Sequence, residues 1–144
     1  MEQVYATAVA YCGFGVLIRG PSGSGKSDLA LRLIEDGANL IADDQVIIES
    51  VREELYLSSP DTISGLIEVR GFGVIKIESV RDVKLGLIVD LDPSFKTQRS
   101  PKMKEELIKN IIVPVINMKA FESSVLARIK LILGYLEKKI ELTS

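Results

Sequence analysis

Eight consecutive residues, Gly20-Pro21-Ser22-Gly23-Ser24-Gly25-Lys26-Ser27, carry the strongest chemical signal in the chain. Glycines at 20, 23 and 25 let the backbone turn successive N–H groups inward around an anion. A helix starting just after them would aim its N-terminus, worth roughly half a positive charge, at the same point. Lys26 adds a full charge for the outer phosphates, and the Ser27 hydroxyl is a ligand type that Mg²⁺ accepts. The spacing Gly-x4-Gly-Lys-Ser satisfies the phosphate-loop (P-loop) pattern. The expected ligand is therefore a nucleoside triphosphate, ATP with Mg²⁺. A glycine-rich turn that binds nothing would need eight positions and both flanks to agree by chance.

A triphosphate site needs acidic groups for the metal and for the acceptor, and two candidates stand in the sequence. Leu87-Ile88-Val89-Asp90 is an apolar run ending in an aspartate, the form in which many P-loop proteins support Mg²⁺. Asp43-Asp44, sixteen residues after Ser27, is placed at the end of a short strand. Neighbouring carboxylates disfavour one another's ionised form and a nearby cation reverses this, which suits a group that takes a proton from an attacking hydroxyl. An exposed Asp-Asp turn, or an aspartate that merely ends a buried strand, is the plain alternative for each. No Asn-Lys-x-Asp segment for guanine recognition is present.

The elements that must position these groups are readable from periodicity. Val4–Tyr11 and 15–19 read as a hairpin turning at Gly13-Phe14-Gly15 and feeding the loop. Leu29, Ala30, Leu33 and Ile34 recur at helical spacing, with Gly37 where a helix stops. Strands are expected at 39–42, 46–50, 54–57, 66–70, 74–77, 85–90 and 111–116, the last interrupted by Pro114 and hence at an edge or bulge. The span from Pro93 to Lys104 reads as a polar loop with Lys96, Arg99, Lys102 and Lys104. Val125, Leu126, Ile129, Ile132, Leu133, Leu136 and Ile140 define one face of a final helix. Closely spaced hairpins with two helices predict an α/β fold on a mixed sheet.

Composition bounds the function. The 144 residues amount to one domain, 1–144, with 47% hydrophobic and 26% charged residues and a net charge of −2. That charge gives no global field for nucleic acid or an anionic membrane, so neither is expected as a partner. The absence of histidine removes imidazole bases and His-based zinc sites, leaving oxygen ligands for any metal. With one cysteine, no signal-like N-terminus and no apolar run near the ~20 residues that span a bilayer, a soluble cytoplasmic protein is expected.

Beyond the loop, Ala42-Asp43-Asp44-Gln45-Val46 and Ile67-Glu68-Val69-Arg70-Gly71-Phe72-Gly73-Val74-Ile75 resemble the catalytic domain of bacterial HPr kinase/phosphorylase, the second stretch its signature segment. The resemblance runs from about Val4 to Ile75, continues more weakly to the final helix, and is closest to short members without a separate N-terminal domain. It implies a fold like the nucleotide domain of phosphoenolpyruvate carboxykinase. It also implies an ATP-dependent kinase acting on a serine of an HPr-type phosphocarrier protein of the phosphotransferase system. Asp43 then corresponds to the catalytic base and Asp44 to its acidic neighbour. Glu68 joins Ser27 on Mg²⁺, Arg70 belongs to the signature, and Arg99 matches an arginine brought near the transferring phosphate. Because the family is commonly hexameric, the resemblance leaves a homo-oligomer open. One departure stands out: Tyr5 occupies the position of a family histidine that assists phosphorolysis. Tyrosine, with a pKa near 10, exchanges protons poorly at neutral pH, although it could donate a hydrogen bond to Asp43. Kinase activity is therefore expected over phosphorylase activity. Two other readings stand beside it: an ATP-binding regulatory module acting on a phosphotransfer or two-component partner, and an unrelated NTPase using Asp90 for its metal.

Overall fold

A computed structural model describes residues 1–96, 103–139 and 143. Eleven strands and two α-helices are present among them: β1 (Glu2–Tyr5), β2 (Thr7–Tyr11), β3 (Phe14–Arg19), α1 (Lys26–Glu35), β4 (Asn39–Ala42), β5 (Gln45–Val51), β6 (Glu54–Ser58), β7 (Leu66–Val69), β8 (Gly73–Lys76), β9 (Val83–Leu91), β10 (Lys104–Ile108), β11 (Ile111–Met118) and α2 (Val125–Leu136). Nine strands form one mixed sheet: seven run in the order β1-β5-β6-β9-β3-β2-β4, and β11 also pairs with β9 and carries β10 on its far edge, while β7 and β8 pair as a separate hairpin. The expected α/β class with a mixed sheet is what the chain adopts.

The sheet forks at β9. One edge of this long strand runs parallel to β3. Its other edge is shared: Val83 and Lys84 pair antiparallel with β6, and 88–91 pair parallel with β11. The parallel set β3, β9 and β11 therefore ends together at Arg19, Leu91 and Met118. The β11 ladder with β9 begins at Val115, immediately after Pro114, where a missing N–H costs no bond to β9.

Both faces of the sheet are buried. Val16 and Ile18 on β3 and Leu87, Val89 and Leu91 on β9 point to one side, where α1 contributes Leu29, Ala30 and Leu33 and α2 contributes Val125, Ile129 and Leu133. The other side holds Ala8, Leu17, Leu85 and Ile88 against Val46, Ile48, Leu55 and Leu57, so the sheet curls over its own face. Alternation alone would put Leu85 with Leu87. A register shift between Gly15 and Val16 opposite Gly86 sends them to opposite cores. A Cβ on Gly86 would lie 2.6 Å from the Phe14 ring, so this irregularity needs glycine. Truncating Leu29 or Leu33, both fully buried, to alanine would cost about 2–5 kcal/mol each.

Several boundaries differ from expectation. The hairpin turn is Cys12-Gly13, both at positive φ, and Gly15 lies within β3. Arg52-Glu53 and Lys109-Asn110 make two-residue turns with the same two positive φ values, as a type I′ hairpin requires. Residues 104–108, expected partly as loop, form β10. Residues 4–11 are two strands with a break at Ala6: β1 pairs with β5, and β2 with β3 and β4. Among the described residues, no helix is long and apolar enough to cross a membrane.

Candidate functional site

The break at Ala6 faces a second break, between β4 and β5. Pairing on one side ends at Tyr5 opposite Gln45 and on the other at Ala8 opposite Ala42, leaving Asp43 and Asp44 outside both ladders. The Ala6 amide donates to the Asp44 carbonyl at 3.2 Å, and Asp44 takes a φ of 78°. That reversal separates the two aspartates. Asp44 is exposed, whereas Asp43 is 8% exposed.

Asp43 is held from three directions. Its Oδ1 accepts from Ser27 Oγ at 2.8 Å and from Thr7 Oγ1 at 2.9 Å; its Oδ2 accepts from the Glu68 amide at 3.0 Å. All three donors are neutral. They come from α1, β2 and β7, so elements distant in sequence converge on one carboxylate. The Ser27 hydroxyl, which donates its hydrogen bond to Asp43, keeps its lone pairs for another partner.

The 20–27 loop bridges β3 and α1. Gly25 caps the helix at a φ of 99°, and the Ser24 amide donates to the Pro21 carbonyl at 3.0 Å. Among the described residues, the amides of Gly25, Lys26 and Ser27 make no backbone hydrogen bond. Unpaired amides at a helix start are the groups that receive an anion. Lys26 Nζ folds back to the carbonyls of Gly20 (2.9 Å) and Pro21 (3.2 Å), beside those amides. The Ser24 hydroxyl is buried and unpartnered beneath Gly20.

The other sequence candidates fall differently. Glu68 is exposed on β7, opposite Val74, and its backbone rather than its side chain meets Asp43. Arg70 is exposed in the β7–β8 turn, just beyond the strand expected to carry it. Arg99 and Lys102 lie outside the described residues. Tyr5 is 79% exposed and is not among the donors to Asp43. Asp90 is already engaged: Arg19 Nε and Nη2 reach its two oxygens at 2.7 and 2.9 Å, and the same guanidinium binds Glu106 at 2.8 and 2.9 Å. Arg19 holds the Glu106 carboxyl below the usual carboxylate range, chiefly through these hydrogen bonds. Among the described residues, no three acidic or sulfur side chains cluster closely enough to hold a metal unaided.

Sequence reasoning missed Thr7 and Arg19. The signal for Thr7 was a small polar side chain followed by the apolar Ala8, Val9 and Ala10, and it is buried at 1% exposure. Arg19 ends the strand that feeds the loop, in register with Asp90.

A mixed sheet whose glycine-rich loop and buried carboxylate meet beyond one end of its parallel strands defines a class of α/β domains suited to an anionic ligand. Comparison with known proteins narrows the class. The HPr Serine kinase C-terminal domain family matches residues 1–122, and the chain belongs to it. It is 39% identical over 122 residues to the HPr kinase/phosphorylase of Clostridium tetani, covering 78% of this chain and 40% of that protein. It is 41% identical over 99 residues to the HPr kinase/phosphorylase of Chlorobium limicola, covering 62% and 30%. The chain thus spans less than half the length of these relatives. The structure of the Hpr(Ser) kinase/phosphatase from Coxiella burnetii superposes with a TM-score of 0.83 at 26% identity, covering 96% of this chain and 98% of that one.

Proposed function

We propose that this domain transfers the γ-phosphate of ATP to a serine hydroxyl of an HPr-type phosphocarrier protein. The observation that carries this reading is the 2.8 Å contact between Ser27, at the end of the 20–27 loop, and the buried Asp43. It joins a phosphate-binding loop to a carboxylate in a chain of the HPr serine kinase family.

Phosphoryl transfer asks a protein for positioning and charge neutralisation rather than covalent chemistry. The unpaired amides of 25–27 and Lys26 would cradle the phosphates, together with Gly20, Pro21, Ser22, Gly23 and Ser24. Ser27 and Glu68 would hold Mg²⁺, which neutralises phosphate charge when bound. Asp43 is the proposed base. Its Oδ1 is filled by two hydroxyls, but Oδ2 accepts only one amide and retains a lone pair for the acceptor serine. Asp44 adds negative charge beside it, and Arg70 and Arg99 would approach the substrate from outside. Phosphorolysis is expected to be weak, because exposed Tyr5 stands where the family histidine would exchange protons. A cytoplasmic location and an HPr-type partner accompany this reading.

The test is transfer of labelled γ-phosphate from ATP to purified HPr-type carriers by the wild type and Asp43→Asn. The expected result is label on a carrier serine that disappears in the variant. ATP binding without transfer to any carrier would sink the kinase reading and leave an ATP-binding regulatory module.

A further inference from the structure

Beside the 20–27 loop lies an open recess of about 400 Å³, walled by Gly23, Ser24, Pro93 and the run 119–122. Its position follows from topology. Strands β3, β9 and β11 are parallel neighbours, and the three segments leaving their carboxyl ends supply every wall: the glycine loop after β3, Pro93 after β9, and Lys119 to Glu122 after β11. Ligands of open α/β sheets lodge beyond the carboxyl ends of such strands, and the volume lies in the ~300–1,000 Å³ range of small-molecule sites.

One wall is unusual for a surface. Phe121 is 70% exposed, yet it is fixed from beneath. Its ring presses so closely on the loop that a Cβ on Gly25 would lie 2.9 Å from Phe121 Cζ and 2.8 Å from Ala120 Cβ. Arg32, on α1, donates to the Ala120 carbonyl and sets its guanidinium 5.8 Å from the Phe121 ring centroid. Glu122 is tied to Arg128 on α2 at 3.1 Å. A positioned aromatic ring left open to solvent beside a phosphate loop is the feature that stacks on a base.

We infer that this recess holds the nucleoside of the bound triphosphate, with its base stacked on Phe121, and that it makes the site one for nucleotides rather than for polyphosphate in general. The inference rests on the reading of residues 20–27 as a phosphate site and adds what lies beyond the phosphates. Gly23 and Ser24 belong to both the loop and the recess, so a ligand seated on the loop needs no gap to enter the cavity. Arg32 acts on the base only through Phe121 and is a positioning residue.

Titration calorimetry with two ligands, ATP and inorganic tripolyphosphate, each with Mg²⁺, separates the two ideas. The wild type is expected to bind ATP at least tenfold more tightly than tripolyphosphate. Phe121→Ala should weaken ATP binding roughly tenfold or more, the scale of one lost base–aromatic stack, with tripolyphosphate unchanged. Phe121→Trp should restore ATP binding. Equal affinity of the wild type for the two ligands would overturn the nucleoside assignment alone. So would a Phe121→Ala variant that keeps its ATP affinity or loses both ligands alike. Failure of the wild type to bind either ligand would overturn the phosphate reading and this inference with it.

Discussion

Asp43 and Asp90 look alike in sequence, each closing an apolar strand run, but the molecule treats them in opposite ways. Asp90 meets a guanidinium that also binds Glu106, so its charge is spent within the fold. Asp43 meets two hydroxyls and one amide, donors that fix its geometry without neutralising it. Among the described residues, no lysine or arginine forms an ion pair with Asp43, whereas Asp90 has one at 2.7 Å. A carboxylate matched by arginine is a structural clasp. A carboxylate matched by neutral dipoles keeps its charge for a proton or a cation brought by a ligand. The proposed base is Asp43 for that reason, and the alternative that gave the metal to Asp90 loses its free group.

The contrast breaks most directly by neutralising each acid. Asp43→Asn is expected to reduce phosphoryl transfer by about 10²–10⁴-fold, the range for loss of a positioned base, while Asp90→Asn stays within a few-fold of wild type. The reverse ranking in a transfer assay would place the working carboxylate on β9. A finer cut removes one dipole: Thr7→Val should lower transfer by about ten- to a hundredfold, since a hydrogen bond to a charged group contributes about 1.5–3 kcal/mol. ATP affinity measured in parallel should not change, because the Thr7 hydroxyl donates to Asp43 and not to the loop.

On the other side, Arg19→Met should act on stability rather than chemistry. It strands Asp90 and Glu106 facing one another across a partly exposed site, a loss of about 1–2 kcal/mol after solvent screening, read from the midpoint of urea unfolding. The smallest effect is in pH. The Glu106 carboxyl is depressed in the fold, so the stability it contributes is present above its unfolded value near 4.3 and is lost as pH falls through the lower folded value. The Tm of the wild type should therefore fall below about pH 4.5, and Arg19→Met should flatten that fall. An unchanged acid limb in the variant would mean that the clasp does not act through Glu106.

What could be read in advance was whatever rests on local pattern. The glycines and lysine of the loop, the apolar spacing of α1 with Gly37 beyond it, and the strand 39–42 ending at Asp43 each carry their signal within a few residues. The buried face of α2 was equally plain: Val125, Ile129 and Leu133. What escaped depends on partners far along the chain. Ala6 looks like any strand residue, and only the opposing break at 43–44 stops the ladder there. Gly86 sits in an apolar run that suggests simple alternation, and its register shift appears only against Gly15. Arg52-Glu53 and Lys109-Asn110 lack the glycine that usually marks such turns, so β10 was hidden behind an ordinary charged stretch. Thr7 was legible as an oddity, but its purpose was not, because it meets Asp43, the carboxylate it shares with Ser27 and Glu68, only in three dimensions.

The fork at β9 also sets a timetable. As the chain leaves the ribosome, β2 and β3 can close into their hairpin at once, yet the far edge of β3 has no partner until residues 85–90 arrive. Through all the intervening synthesis, at roughly 5–20 residues per second, Val16, Leu17 and Ile18 present an open apolar edge of the kind that recruits other chains. Strand β9 must then accept β6 at its start and β11 at its end, so both wings wait on one segment. Substitutions in 83–91 will therefore be felt in soluble yield at elevated temperature, as nascent chains aggregate, before they are felt in the activity of the molecules that do fold.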